Sequence, residues 1–433
     1  MIHTMKLSKK IAVVSAVLLA AACSTSRYLD ISSPNSVPVG IFDLPSSATL
    51  MVNSSIGDFE CAYGAAVTIE GIISDELGDT QLGAAQWPYD RRDANTQTNG
   101  IYGTSGCTSA QGPGIYTPLS TARFTADNAL KKLTAWTDAE VPNRQTLIAQ
   151  ANLYAGFSYA MLGMSMCQAA FDVGPVVDQK GMFALAEKRF TDAIASVGAA
   201  TQTPAVTNLV NAAYVGRARV RLFQGNASGA AADAALVPKG FVFNAATDAT
   251  DPRRYNRVYN ATQQSGNYSV EAASLSLMTE NGEVDPRSSV TQTATRPSDS
   301  KSIIYVPAKY SSPSATAGDA IPLPIARYEE AQLILAEAQG GAAAVTIINS
   351  LRAAVFLKPY TGATDATSIK ALIGDERRRV LFVEGFRNYD IQRLGLTLNP
   401  AVGAQYPRVG GTYGTTTCLP LPDVERYNNP NVP

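Results

Sequence analysis

Histidine is almost missing from this chain: its 433 residues contain one, His3. If the first residues are removed as a leader, no histidine remains. That excludes Ser-His-Asp and Cys-His catalysis and withdraws the commonest metal ligand. Cysteine is scarce too, with five residues and no C-x-x-C spacing, which argues against zinc and dithiol redox motifs. Charged residues make up only 16% of the chain, below the roughly 25% typical of soluble domains. There is no basic stripe of the kind a phosphate backbone requires, so nucleic acid is not expected as a partner, and no nucleotide-binding loop occurs. The one long apolar run, residues 11–22, is too short to span a bilayer dependably.

That run sits behind Lys6, Lys9 and Lys10 and leads through small residues to Cys23, the layout of a secretory signal. Apolar-Ala-Ala-Ala-Cys followed by "STS" further resembles a bacterial lipoprotein signal, although Leu19 lies one position earlier than the preferred leucine. The resemblance implies lipidation of Cys23 and a membrane anchor, each buried CH2 of an acyl chain contributing about 0.8 kcal/mol. The alternative is an ordinary signal cut at an A-x-A site. Removing residues 1–22 takes three of the 35 basic residues and none of the 36 acidic ones, so the mature chain carries an excess of about four negative charges. Four cysteines then remain, Cys61, Cys107, Cys167 and Cys418, which admit three disulfide pairings. Cys61 with Cys167 is favoured because both lie in strongly helical stretches that could pack side by side; buried free thiols are the alternative.

With 45% hydrophobic residues the chain can bury a large core. Apolar residues near a 3.6 spacing predict helices over 48–77, 120–136, 144–171 and 182–198. Residues 205–241 read as a helix pair: Ala213, Gly216, Ala218 and Leu222 line one face, Gly225 turns the chain, and Ala230, Ala231, Ala234 and Ala235 form a small-residue return helix. Such pairs resemble tetratricopeptide repeats, in which small residues allow close helix approach and each pair buries its face on a neighbour. Two stretches break the pattern, about 79–118 and 242–320; both are rich in polar and turn residues, and "SIIYV" in the second predicts a small hairpin. Helices resume after residue 320 and include a single helix expected over 376–394.

Five segments carry a family resemblance: "YLDISSPNS" after Cys23, "IPLPIARYEEAQLILAEA" (321–338), "INSLRAAV" (348–355), "IGDERRRVLFVEGFRNYDIQRLG" (373–395) and "LPLPDVERYNNPNVP" (419–433). In this order and spacing they resemble the SusD/RagB family of nutrient-binding outer-membrane lipoproteins. The resemblance implies an all-α, SusD-like α-α superhelix with tetratricopeptide-type helix pairs and long loop-rich excursions: a leader over 1–22 and one domain over 23–433, closed by the family signature over 321–433. It implies an outer-membrane, lipid-anchored protein, surface-exposed, that binds an oligosaccharide or else a peptide and delivers it to a SusC-like TonB-dependent transporter. No enzyme activity, cofactor or metal is implied. The first acid after Cys23 is Asp30, whereas many family members place acids directly after the lipidated cysteine, so surface exposure is an inference.

Glu376, Arg377, Glu384, Gly385, Arg387 and Asp390 form the fold signature of the 376–395 stretch. On one helix, Glu384 and Arg387, and Arg387 and Asp390, stand three apart and could pair along one side. Glu384 reads as a partly buried carboxylate held by an arginine or by backbone amides of neighbouring segments. For ligand binding, Trp87, Tyr89, Arg91, Arg92, Tyr102 and Tyr116 in the first excursion offer flat faces and guanidinium groups suited to sugar, with Tyr255, Tyr259 and Tyr268 in the second. The alternative is that these aromatics pack their own loops. Two other classes compete with this reading. A surface scaffold or assembly protein on the same repeats is one. A glycosidase using two carboxylates is the other, disfavoured because Asp75 with Glu76, and Asp375 with Glu376, are sequence neighbours that splay apart.

Overall fold

The computed structural model describes residues 39–81, 87–98, 103–109, 112–198, 203–407 and 410–432. Cys23, the tether behind it and Tyr102 lie outside these residues. Residues 39–47 form two short 310 turns and belong to a separate unit; everything from Ala48 onward belongs to a second.

The second unit is built around helix α1 (Ala48–Ile73), of whose 26 residues 19 are buried. Burial on all sides explains why its apolar positions exceed one amphipathic stripe. The chain then makes strand β1 (Leu77–Asp79), a single helical turn α2 (Trp87–Asp90), and helices α3 (Tyr116–Ala135), α4 (Arg144–Ser165), α5 (Gln179–Ser196), α6 (Pro204–Phe223) and α7 (Ala227–Ala234). Each of α4 to α7 packs on its predecessor, α3 packs on α1, and α7 packs on α8 (Tyr328–Gln339), so the order along the chain is the order of stacking. α9 (Gly341–Ala353) and α10 (Ala366–Val380) both pack against α8. The all-α superhelix expected from the repeat pattern is therefore present.

Local chemistry sets the helix ends. Asp178, Thr203, Asn226 and Asp365 each accept a backbone N–H at a helix start, and Pro204 occupies the first turn of α6 where no N–H is needed. Close approach depends on glycine. Phe190 of α5 is fully buried, and a Cβ on Gly156 of α4 or on Gly216 of α6 would fall 2.7 Å or less from its ring. The ring fills a notch that two helices open by lacking side chains.

Between α4 and α5, β2 (Gln168–Ala170) pairs with β3 (Val176–Asp178), and the two excursions form further short antiparallel pairs. β4 (Val242–Ala245) pairs with β8 (Leu323–Arg327), and β6 (Val290–Gln292) with β7 (Tyr305–Pro307), the hairpin expected around "SIIYV". β1 pairs with β5 (Tyr268–Val270), in register Leu77 with Val270 and Asp79 with Tyr268. This last ladder joins the first excursion directly to the second.

The disulfides correct the expected pairing. Cys61 bonds Cys107 and Cys167 bonds Cys418. Cys61 and Cys167 do not meet because Cys167 lies just past the end of α4 at Ser165, where it donates its N–H to the carbonyl of Leu419 and so faces the C-terminal segment.

Replacing Gly216 by Ala forces the clamped Phe190 ring to move, so Gly216→Ala should destabilise the protein by about 1–3 kcal/mol, the usual range for overpacking. Thermal or urea unfolding of the variant would check this.

Candidate functional site

The signature stretch is not one helix. α10 ends at Val380, residues 381–385 make turns, and helix α11 runs Arg387–Leu394. Val383 (φ 51°) and Gly385 (φ 82°) both adopt left-handed backbone, which no helix continues through. At Gly385 a Cβ would stand 3.3 Å from the Val67 side chain and 3.5 Å from its Cα. The glycine is thus the point at which this turn rests on α1.

The break redirects every charge of the motif, and the expected one-sided ladder does not form. Glu384, 3% exposed, accepts from Arg327 at 3.0 Å and from Lys309 at 2.5 Å. Arg387 instead chelates Asp75 at 2.7 and 3.0 Å. Asp390 holds Arg377 and Arg393, both at 2.7 Å. Glu376, fully buried, gathers Arg352, Arg287 and Arg379 within 2.9 Å. The motif therefore cross-links the end of α1, the second excursion and α9. Burial opposes ionisation of Glu384 and Asp390, but their arginine and lysine partners hold both below the ordinary carboxylate range. Glu70 and Glu76 form no ion pair among the described residues. Burial pushes Glu70 up to about 7 and Glu76 up to about 8, only partly offset by bonds from Asn388 and from the Val383 N–H.

The aromatic candidates separate into buried and accessible. Tyr89 and Tyr116 are 2% and 3% exposed and belong to the core. Arg92 is buried, donates to the Pro400 carbonyl and stacks 4.8 Å over Tyr413. Arg91, half-buried, pairs with Asp93 at 2.7 Å. These residues seat the first excursion on the 400–416 segment, where Asp90 accepts from the Tyr406 hydroxyl at 2.7 Å. Tyr259 and Tyr268 are buried, while Tyr255 is half-buried. Trp87 is half-buried, and its indole N–H finds no acceptor among the described residues. The structure does not gather the five described candidates of the first excursion into one open platform.

It does build a cleft of about 290 Å3 where the two excursions meet. The β1–β5 ladder forms one edge, extended by bonds from the Thr80 N–H to the Asn267 carbonyl and from the Thr80 hydroxyl to the Gly266 carbonyl. The Cys61–Cys107 bond fastens the opposite wall to α1. Gln81, Thr108, Ser109, Arg257, Asn260 and Asn267 contribute planar amides, hydroxyls and a guanidinium, and no carboxylate lines the cleft. Arg257 Nε is buried without an acceptor among the described residues, and burial lowers the Arg257 pKa. Such a lining suits hydroxyl-bearing ligands that alternate donors and acceptors. Of the described sequence candidates, Tyr268 alone lines this cleft; its polar lining was not legible in the sequence, because amides in turn-rich sequence carry no periodic signal.

The comparisons bear out the family resemblance. The SusD family model matches residues 239–432. A SusD superfamily protein from Bacteroides vulgatus ATCC 8482 shares the fold at a TM-score of 0.66 and 16% identity, over 90% of this chain and 98% of its own. A SusD-like carbohydrate binding protein from the same organism gives 0.67 and 15%, over 90% and 97%. A laminarin binding SusD-like protein gives 0.58 and 16%, over 90% and 98%. A comparison with curated proteins finds no match.

Two outcomes follow from the charge network. Glu384→Gln leaves Arg327 and Lys309 without their shared carboxylate, and should cost about 3–5 kcal/mol of stability while changing ligand affinity little. Glu70 and Glu76 have folded-state pKa values above the ordinary 4.5, so their contribution is full at acid pH and is lost as pH rises through 7 to 8. The melting temperature should fall between pH 5 and pH 8, and Glu76→Gln should flatten that slope.

Proposed function

We infer that this SusD-like chain is an outer-membrane lipoprotein, anchored through Cys23, that binds an oligosaccharide and hands it to a SusC-like TonB-dependent transporter. The observation that carries the ligand class is the cleft at the junction of the excursions, whose amides, hydroxyls and single guanidinium match sugar hydroxyls in hydrogen-bonding capacity. Trp87, half-buried at the start of the same excursion, offers an aromatic face for stacking. Binding there needs no catalytic carboxylate, and the reading is of a binding protein, not an enzyme. Among the described residues no helix is long and apolar enough to cross a membrane.

A glycan and peptide panel titrated against the chain starting after Cys23 tests this. At least one oligosaccharide should bind, and Asn267→Ala and Trp87→Ala should each weaken it about tenfold, the loss of one good hydrogen bond or ring contact, with melting temperature nearly unchanged. Retained affinity in both variants would place the site elsewhere. Binding of peptides only would replace the substrate class. Copurification with polymers of the chain itself, in place of a barrel transporter, would favour the scaffold reading.

A further inference from the structure

A second cleft, of about 540 Å3, lies over the Glu384 cluster and is bounded by α8 and α9. Its volume falls within the range of small-molecule sites. One wall is apolar, formed by Ile347, Leu351, Ala354 and Val355 of α9 and the turn after it. The opposite side is cationic: Lys239, Arg287, Lys309 and Arg327 line the cleft, against the carboxylates Glu329 and Glu384 alone. Glu384 and Glu329 are both engaged by Arg327, and Asp285 and Glu376, which hold Arg287, are fully buried and line no part of the cleft. Lining charge is thus positive by two. Arg287 also keeps one donor unanswered, for its Nη1 is buried with no acceptor among the described residues. Leaving such a donor without an acceptor costs about 1–3 kcal/mol.

The rim adds an exposed aromatic. Phe356 follows Val355 directly, is 96% exposed, and holds a left-handed backbone (φ 62°) that a bulky residue rarely adopts. Neither feature helps the fold.

We propose that this cleft is a second ligand site, separate from the carbohydrate cleft, and that it takes a small organic acid with an apolar body. The acid group would face Arg287 and Lys309, and the apolar body would lie along α9. Residues of the carbohydrate cleft take no part: the two linings share none.

The probe is 4-phenylbutyrate, titrated by calorimetry into the chain starting after Cys23, beside 4-phenylbutan-1-ol, which has the same body without the charge. Ala354 is exposed, so Ala354→Trp fills the cleft without disturbing the core, whereas Arg287 is avoided because it anchors Glu376. The acid should bind saturably, the alcohol at least about tenfold more weakly, as expected for a lost charge-assisted bond. Ala354→Trp should abolish acid binding while melting temperature and oligosaccharide affinity stay unchanged. Equal affinity for acid and alcohol, no saturable binding to folded protein, or binding that survives Ala354→Trp would each overturn the proposal.

Discussion

The bond between Arg387 and Asp75 is the constraint on which the rest of the structure depends. Asp75 lies just past the end of the largely buried helix α1, and Arg387 opens α11 more than three hundred residues later. Around this contact the Val383 N–H reaches Glu76, Gly385 rests on Val67, and Asn388 donates to Glu70. Charges this deep persist only where each has a partner of fixed geometry, so the 381–390 segment can occupy one position relative to α1 and no other. What such a network specifies is placement more than strength.

From that fixed point the architecture divides its labour. The helices α3 to α10 stack in chain order and supply a frame, with Phe190 seated in glycine notches. The two excursions leave the frame at widely separated points, yet the β1–β5 ladder draws them together. A cleft built from loops is then held by a ladder, a disulfide and the frame beneath, so its variability in side chains need not cost the frame any stability.

Much of this was legible in the sequence. Helix positions followed from apolar spacing, and the family signature located the ion network, because buried charge leaves an unmistakable irregularity in an apolar run. The break at 381–385 was harder. Gly385 could have announced it, but Val383 in left-handed backbone carries no sequence mark. The disulfides were misassigned because pairing depends on which segment a cysteine faces, and Cys167 faces the returning C-terminus. Tyr89 and Tyr116 illustrate a further limit: an aromatic in a polar loop looks the same whether it anchors that loop or presents itself to a ligand.

The disulfides also bear on how the chain acquires its form in time. A polypeptide appearing from its N-terminus exposes Cys61 and then Cys107, the two that pair, before either of the others. Among the four cysteines after Cys23, an oxidant that joins them in order of appearance would therefore make the first native bond correctly. Cys167 must then wait through 251 residues for Cys418, close to the end of the chain. The cleft between the excursions is thus fastened to its frame early, and the seal between α4 and the C-terminus is the later of the two disulfides.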